Sequence, residues 1–237
     1  MRAVALALAA CAAPAAPASG APPAEPPAVA DGFDAQAWLA EARRLRRSAE
    51  GVGGETEGDP AARARDLADA LAEAPDWRRE CDAYVDPETG ETVSDPVARG
   101  AGAPGYVGLF EIGNVSETEA VAAFTCSFGA YQGSYALVHV LGDRAEVVRA
   151  PAVGLDGRPM AAATGQFSTP DWTDLADGTF TTFALARGLG DCGQLTRYAF
   201  ATADSLEVRE VRARDCEHAA PDDLPPPTDW PLLYSAD

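Results

Sequence analysis

The apolar positions follow two different periods along the chain. Over residues 35–49, Ala35, Trp38, Leu39, Ala42 and Leu45 recur at helical spacing, while Arg43, Arg44, Arg46 and Arg47 occupy the turns between them. Asp34 stands where it can cap this helix, Phe33 where it can staple the cap, and Gly51 where it can stop the helix. A second helix is signalled by Asp59 as cap and Pro60 at the first helical position. It runs to Ala74, ahead of Pro75, with Leu67 and Leu71 as a narrow apolar stripe. The acidic, glycine-rich stretch 51–59 predicts that the two form an αα-hairpin or a loosely attached arm over 31–75.

From about residue 76 the period falls to two. Tyr84-Val85 and Thr92-Val93 flank the turn-forming segment DPETGE and predict a hairpin. Further strands are expected over 106–112, 119–128, 133–141, 144–149, 179–186, 194–201 and 205–213. Short β-branched and aromatic segments separated by turn residues specify a mainly β domain over 76–237. The expected form is an antiparallel sandwich or partly open barrel with disulfides, preceded by the short α-helical arm. No run of 18 apolar residues, the length needed for a transmembrane helix, occurs.

Ahead of the helices, Met1-Arg2, the apolar run 3–10 and Leu8-Ala9-Ala10-Cys11 match the lipobox of bacterial lipoprotein signals. Small residues before the cysteine suit a peptidase pocket, and the Cys11 thiol is the expected acceptor of a diacylglyceryl group. Residues 12–30 hold six prolines and one charge, Glu25. Such a segment cannot bury enough surface to offset its ordering entropy and predicts a polyproline-biased tether, reaching at most about 60 Å at about 3.1 Å per residue. The expected organisation is a signal over 1–10, the lipidated cysteine and tether over 11–30, the arm, and the β domain. Two or three acyl chains anchor stably. Ala12 after Cys11 is similar to the pattern of lipoproteins sent to the outer membrane of Gram-negative bacteria, so the expected location is the periplasmic face of that membrane.

Charge narrows the partners. There are 37 acids against 18 basic residues, every one of them arginine, for a net charge of -19. Residues 81–237 hold 24 acids against 9 arginines. Nucleic acid is excluded as a partner, because phosphate binding needs a basic face. The arginines of the first helix would touch lipid phosphates or pair with the protein's own carboxylates, and the acidic surroundings favour the second.

Cys11 removed, Cys81, Cys126, Cys192 and Cys216 allow three disulfide pairings. Cys192 with Cys216 is favoured because they bracket a predicted hairpin, which leaves Cys81 with Cys126. Zinc held by Cys192, Cys216 and His218 has the wrong spacing. Gly188, Gly190 and Gly193 spell G-x-G-x-x-G, but a strand rather than a helix follows, so a dinucleotide has no helix N-terminus to meet. The element reads instead as a tight glycine turn that lets Cys192 reach its partner.

The segments CSFGAYQGSYALV at 126–138 and ARGLGDCG at 186–193, with Cys216 and Trp230-Pro231, resemble a family of uncharacterised exported proteobacterial proteins. It is the domain of unknown function numbered eleven seventy-six. The likeness spans roughly 106–234, and Asp76-Trp77 with Cys81-Asp82 is similar to the family's DW and CD element. Position 198 is Tyr where the family usually has Trp. The resemblance implies an envelope location and a β-rich disulfide fold. It implies no reaction.

No nucleophile elbow or H-E-x-x-H motif occurs, and no cofactor or metal is expected. His139, inside an apolar strand, reads as a structural histidine; Asp171, Asp174 and Asp177 read as a solvated acidic loop, since their spacing is not that of an EF-hand. Two functions remain. One is a non-catalytic binding or inhibitor-like module for an envelope protein or cell-wall ligand. The other is an envelope-polymer hydrolase working through a carboxylate pair, which lacks a paired motif. Arg187 and Asp191, beside the glycine turn, are the expected groove residues.

Overall fold

The computed structural model describes residues 33–49, 60–73, 76–94, 110–128, 132–217 and 225–236. Cys11 with its tether, Gly51, Asp59 and His218 lie outside the described residues. Two helices come first, α1 (Ala35–Ala49) and α2 (Pro60–Glu73). A 3-10 turn (Trp77–Asp82) leads into the hairpin β1 (Ala83–Val85) and β2 (Thr92–Ser94). Then follow β3 (Phe110–Asn114), β4 (Glu119–Phe128), β5 (Gly133–Leu141) and β6 (Arg144–Val147), an antiparallel sheet in that order.

The next strands are short: β7 (Ala150–Val153) and β8 (Pro159–Thr164) pair with each other, β9 (Gln166–Phe167) adds to β5, and β10 (Thr169–Asp171) opens the second sheet. That sheet continues through β11 (Thr179–Leu185), β12 (Gly193–Phe200), β13 (Leu206–Arg214) and β14 (Leu232–Ser235), each antiparallel to the last.

The two sheets pack face to face and do not close into a barrel. The antiparallel sandwich is therefore the correct one of the two expected forms. Val121 and Ala123 of β4 and Tyr135 and Leu137 of β5 meet Phe180, Tyr198, Val208 and Val211 of the second sheet. The opposite face of β4 and β5, carrying Ala120, Ala122, Phe124, Ala136, Val138 and Val140, meets Trp38, Leu39, Ala42, Ala68 and Leu71 of the helices. The first sheet is thus buried on both faces, which is why its strands read as unbroken apolar runs.

The helices form a third layer rather than a loosely hung arm. Asp34 Oδ1 caps α1 by accepting the N–H groups of Gln36 at 3.1 Å and Ala37 at 2.9 Å. Trp38 Nε1 donates to the Leu67 carbonyl at 2.8 Å and Trp77 Nε1 to the Ala68 carbonyl at 3.1 Å, and Trp77 stacks on Phe124 at 4.5 Å. These contacts fasten α2 to the sheet through two indoles.

Strands β7 to β10 and β14 were not expected. Ala-Pro-Ala-Val and Pro-Met-Ala-Ala-Ala-Thr are mostly alanine and proline, with one β-branched residue each and no aromatic to signal a strand, and their prolines are tolerated because the β7–β8 hairpin stands outside both main sheets. Strand β3 starts at Phe110, and residues 106–109 of the expected strand lie outside the described residues.

Candidate functional site

One end of the sandwich is sealed. The Leu206 N–H donates to the Arg149 carbonyl at 2.8 Å and the Arg149 N–H to the Asp204 carbonyl at 2.9 Å, and His139 sits buried beside them. His139 Nδ1 bonds to the Ala203 carbonyl at 3.0 Å, Nε2 to Glu119 Oε1 at 2.9 Å, and its ring lies 4.5 Å from that of Phe200. Both ring nitrogens have partners, as a structural histidine requires.

The other end is open and holds a cleft of about 410 Å³. The inward positions of β11 and β12 supply one wall, Thr182, Ala184, Gln194, Thr196 and Tyr198. They share a face because the register pairs Thr182 with Thr196 and Ala184 with Gln194. Ser127, Gln132, Gly133 and Ser134, at the ends of β4 and β5, face them. The rim comes from Ala152, Val153, Thr164 and the segment 166–168, with Val85 from the β1–β2 hairpin. Cys126 is the extra residue at a bulge in β4, where Thr125 pairs with Tyr135 and Ser127 with Ser134. The bulge residue bonds to Cys81, and the next two wall residues join through their hydroxyls, Ser127 Oγ to Ser134 Oγ at 2.7 Å.

Ten of the sixteen described lining residues carry a hydroxyl or a primary amide, and none is an acid, a base or a free thiol. The wall is held in place by its own bonds. Gln194 Nε2 donates to Thr196 Oγ1 at 3.0 Å, and Gln132 Oε1 accepts the Leu185 N–H at 2.6 Å. A backbone N–H can only donate, so this bond fixes which end of the Gln132 amide is oxygen. Burial pushes the Tyr198 hydroxyl up to about 12, while hydrogen bonds with Thr182 and Thr196 oppose the shift, so Tyr198 stays neutral at ordinary pH.

The glycine turn lies just beyond this wall, in the loop from β11 to β12. Cys192 and Cys216 are bonded with Cα atoms 5.1 Å apart, and Cys81 and Cys126 with Cα atoms 5.0 Å apart, the favoured pairing in both cases. Gly190 has φ +70° and Gly193 φ +144°, both conformations that favour glycine. Arg187 and Asp191 are brought together but do not line the cleft. Arg187 Nε donates to Asp191 Oδ1 at 2.8 Å and its Nη2 to Oδ2, so the pair clamps the loop on itself. The Asp191 side chain is completely shielded, and the Arg187 guanidinium holds its carboxyl below the usual carboxylate range against the opposing effect of burial.

The described residues contain no cluster of three or more His, Cys, Asp or Glu arranged to hold a metal ion. Asp171 accepts from Thr173, and Asp174 stands 3.6 Å from Arg197, as a solvated acidic loop would.

A family model described as protein of unknown function, DUF1176, matches residues 10–237. The chain belongs to that family. The DUF1176 match takes in the helices as well as the strands, beyond the expected span of 106–234, in keeping with the core that α1 and α2 share with the first sheet. No curated protein and no solved structure matches the chain.

Both family-like segments reach the cleft, though through residues not singled out from the sequence: Gln132 and Ser134 from the first, and Gln194 directly after the second. The missed signal was a break in pattern. On the inward face of β11 and β12, apolar Phe180 gives way to Thr182, and Tyr198 to Thr196 and Gln194, toward one end of the sandwich.

Proposed function

We propose that this protein is an exported, lipid-anchored envelope protein whose sandwich serves as a non-catalytic binding module, with the open-end cleft as its seat. The observation that carries this reading is the cleft wall. It is concave, preformed, and furnished with hydrogen-bonding groups, yet its described residues include no carboxylate, histidine or amine to shuttle a proton or activate the wall's hydroxyls. A hydrolase needs two carboxyl groups flanking a shared space, and no Asp or Glu belongs to the described lining.

Two disulfides support folding in an oxidising compartment. Cys11 and the tether after it support anchoring at the periplasmic face of the outer membrane, with the sandwich held off the bilayer. The test of binding is incubation of the oxidised protein with purified cell-wall sacculi and envelope polysaccharide. Expected is retention in the pelleted polymer with no release of reducing ends or peptides. Release that scales with protein and time would overturn the reading in favour of a hydrolase. The test of anchoring is metabolic labelling with an alkynyl fatty acid, which Cys11→Ala should abolish.

A further inference from the structure

Resting on the binding reading, we infer that the cleft takes a neutral, hydroxyl-rich ligand of mono- or disaccharide size. The first reason is charge. A ligand carrying a fixed charge would lose water in the cleft and find no counter-charge among the described lining residues, a large cost. An anionic ligand would also meet the field of a chain with net charge -19.

The second reason is polarity. A purely apolar ligand would displace water from the hydrogen-bonding capacity that the wall's hydroxyls and amides do not use on one another, the Gln132 N–H donors above all, and each group so stranded costs free energy. What complements them is a ligand whose own groups both donate and accept. Ser127 and Ser134 share a hydrogen bond in which either can be the donor, so the pair can reverse to suit an incoming hydroxyl. Gln132 uses its oxygen on Leu185, and its two amide N–H donors meet no acceptor among the described residues. Gln132 lines the cleft and its orientation is set before any ligand arrives, so those donors are already ordered. The volume of about 410 Å³ lies within the range of about 300–1,000 Å³ typical of small-molecule sites.

The experiment uses the oxidised full chain carrying Cys11→Ala, labelled with nitrogen-15 and titrated by NMR. The probes are the neutral sugars diacetylchitobiose and maltose, the anionic digalacturonate, the cationic glucosamine disaccharide and the uncharged peptide N-acetyl-trialanine amide. Expected is saturable binding of a neutral disaccharide that shifts the Gln132 side-chain amide and the backbone of 182–184 and 194–198. Thr182→Val with Thr196→Val should weaken it at least tenfold, in protein that still gives a folded, dispersed spectrum. Gln194→Met, at a half-buried position, provides the same test should the valines disturb the fold. Binding of a charged sugar or the peptide in place of neutral sugars overturns the ligand class and leaves the binding module standing. No shift with either neutral sugar also overturns it, while sedimentation with sacculi decides the binding reading separately.

Discussion

Gln132 Oε1 accepts the Leu185 backbone N–H at 2.6 Å, across 53 residues of sequence. The bond joins the end of β11, where the glycine turn begins, to the segment that enters β5. One amide therefore ties the two walls of the cleft to each other. Gln132→Met keeps the side chain's length and removes the acceptor. It should cost about 1 kcal/mol in urea unfolding and speed hydrogen exchange at Leu185. An unchanged exchange rate at Leu185 would show that the bond does not hold the two segments together.

The disulfides close loops of 45 and 24 residues in sequence separation. In the chain-entropy picture the shorter loop contributes about 3.5 kcal/mol and the longer about 4 kcal/mol. Replacing Cys81 and Cys126 together by Ala, or Cys192 and Cys216 together, should lower the urea midpoint by comparable amounts. Peptide mapping of the oxidised wild-type protein should recover these two pairs. Any crossed pair would refute the assignment.

Glycine is required by space at Gly193 and only by backbone angle at Gly142. A Cβ at Gly193 would stand 2.1 Å from the Ala184 carbonyl oxygen, while one at Gly142, φ +61°, would meet nothing within 4 Å. Gly142→Ala should cost about 1 kcal/mol, the usual penalty for a side chain at positive φ. Gly193→Ala forces two backbones apart at the edge of the cleft and should cost well over 2 kcal/mol. Equal midpoints for the two variants in urea would argue against the close approach.

This contrast shows what the sequence made legible. The turn at 188–193 followed from its glycines, and its disulfide from two cysteines that bracket a predicted hairpin. The role of Arg187 and Asp191 did not. Their ion pair closes within the loop, a three-dimensional fact that leaves no mark on spacing. The cleft was hidden for a related reason. Serine, threonine and glutamine on a strand look like solvent-facing positions until the opposing sheet is known, and Thr182 and Thr196 are buried. The helices were legible as elements and illegible as a layer, since an apolar stripe does not name the surface that covers it.

Acid should act through Asp191. Its carboxyl is held below the ordinary value by Arg187, so its contribution to stability is fully present above about pH 4 and is lost as pH falls through the lowered folded value. Asp191→Asn keeps the shape and cannot titrate. Urea midpoints measured from pH 7 down to pH 2 should therefore fall less steeply below pH 4 for Asp191→Asn than for the wild type. Parallel profiles would mean that other carboxylates govern acid unfolding.

Arg43 decides how the basic face of α1 is used. Its guanidinium donates from Nε to Asn114 Oδ1 at 2.7 Å, from Nη2 to the carbonyls of Ser116 at 2.5 Å and Glu119 at 3.2 Å, and from Nη1 to that of Glu117. Arg44 and Arg63 both pair with Glu41, at 2.6 and 2.7 Å, and Arg46 donates to the Ile112 carbonyl. The arginines serve the protein's own turns and carboxylates, and Arg43 binds the β3–β4 turn as a planar fork. A lysine keeps the charge but concentrates its donors on one nitrogen, which cannot reach carbonyls on several sides. Arg43→Lys should cost about 1–3 kcal/mol and raise hydrogen exchange at residues 115–119, while binding to anionic vesicles by the unacylated protein should be weak before and after. A stable Arg43→Lys protein that lost vesicle binding would instead return this face to the membrane.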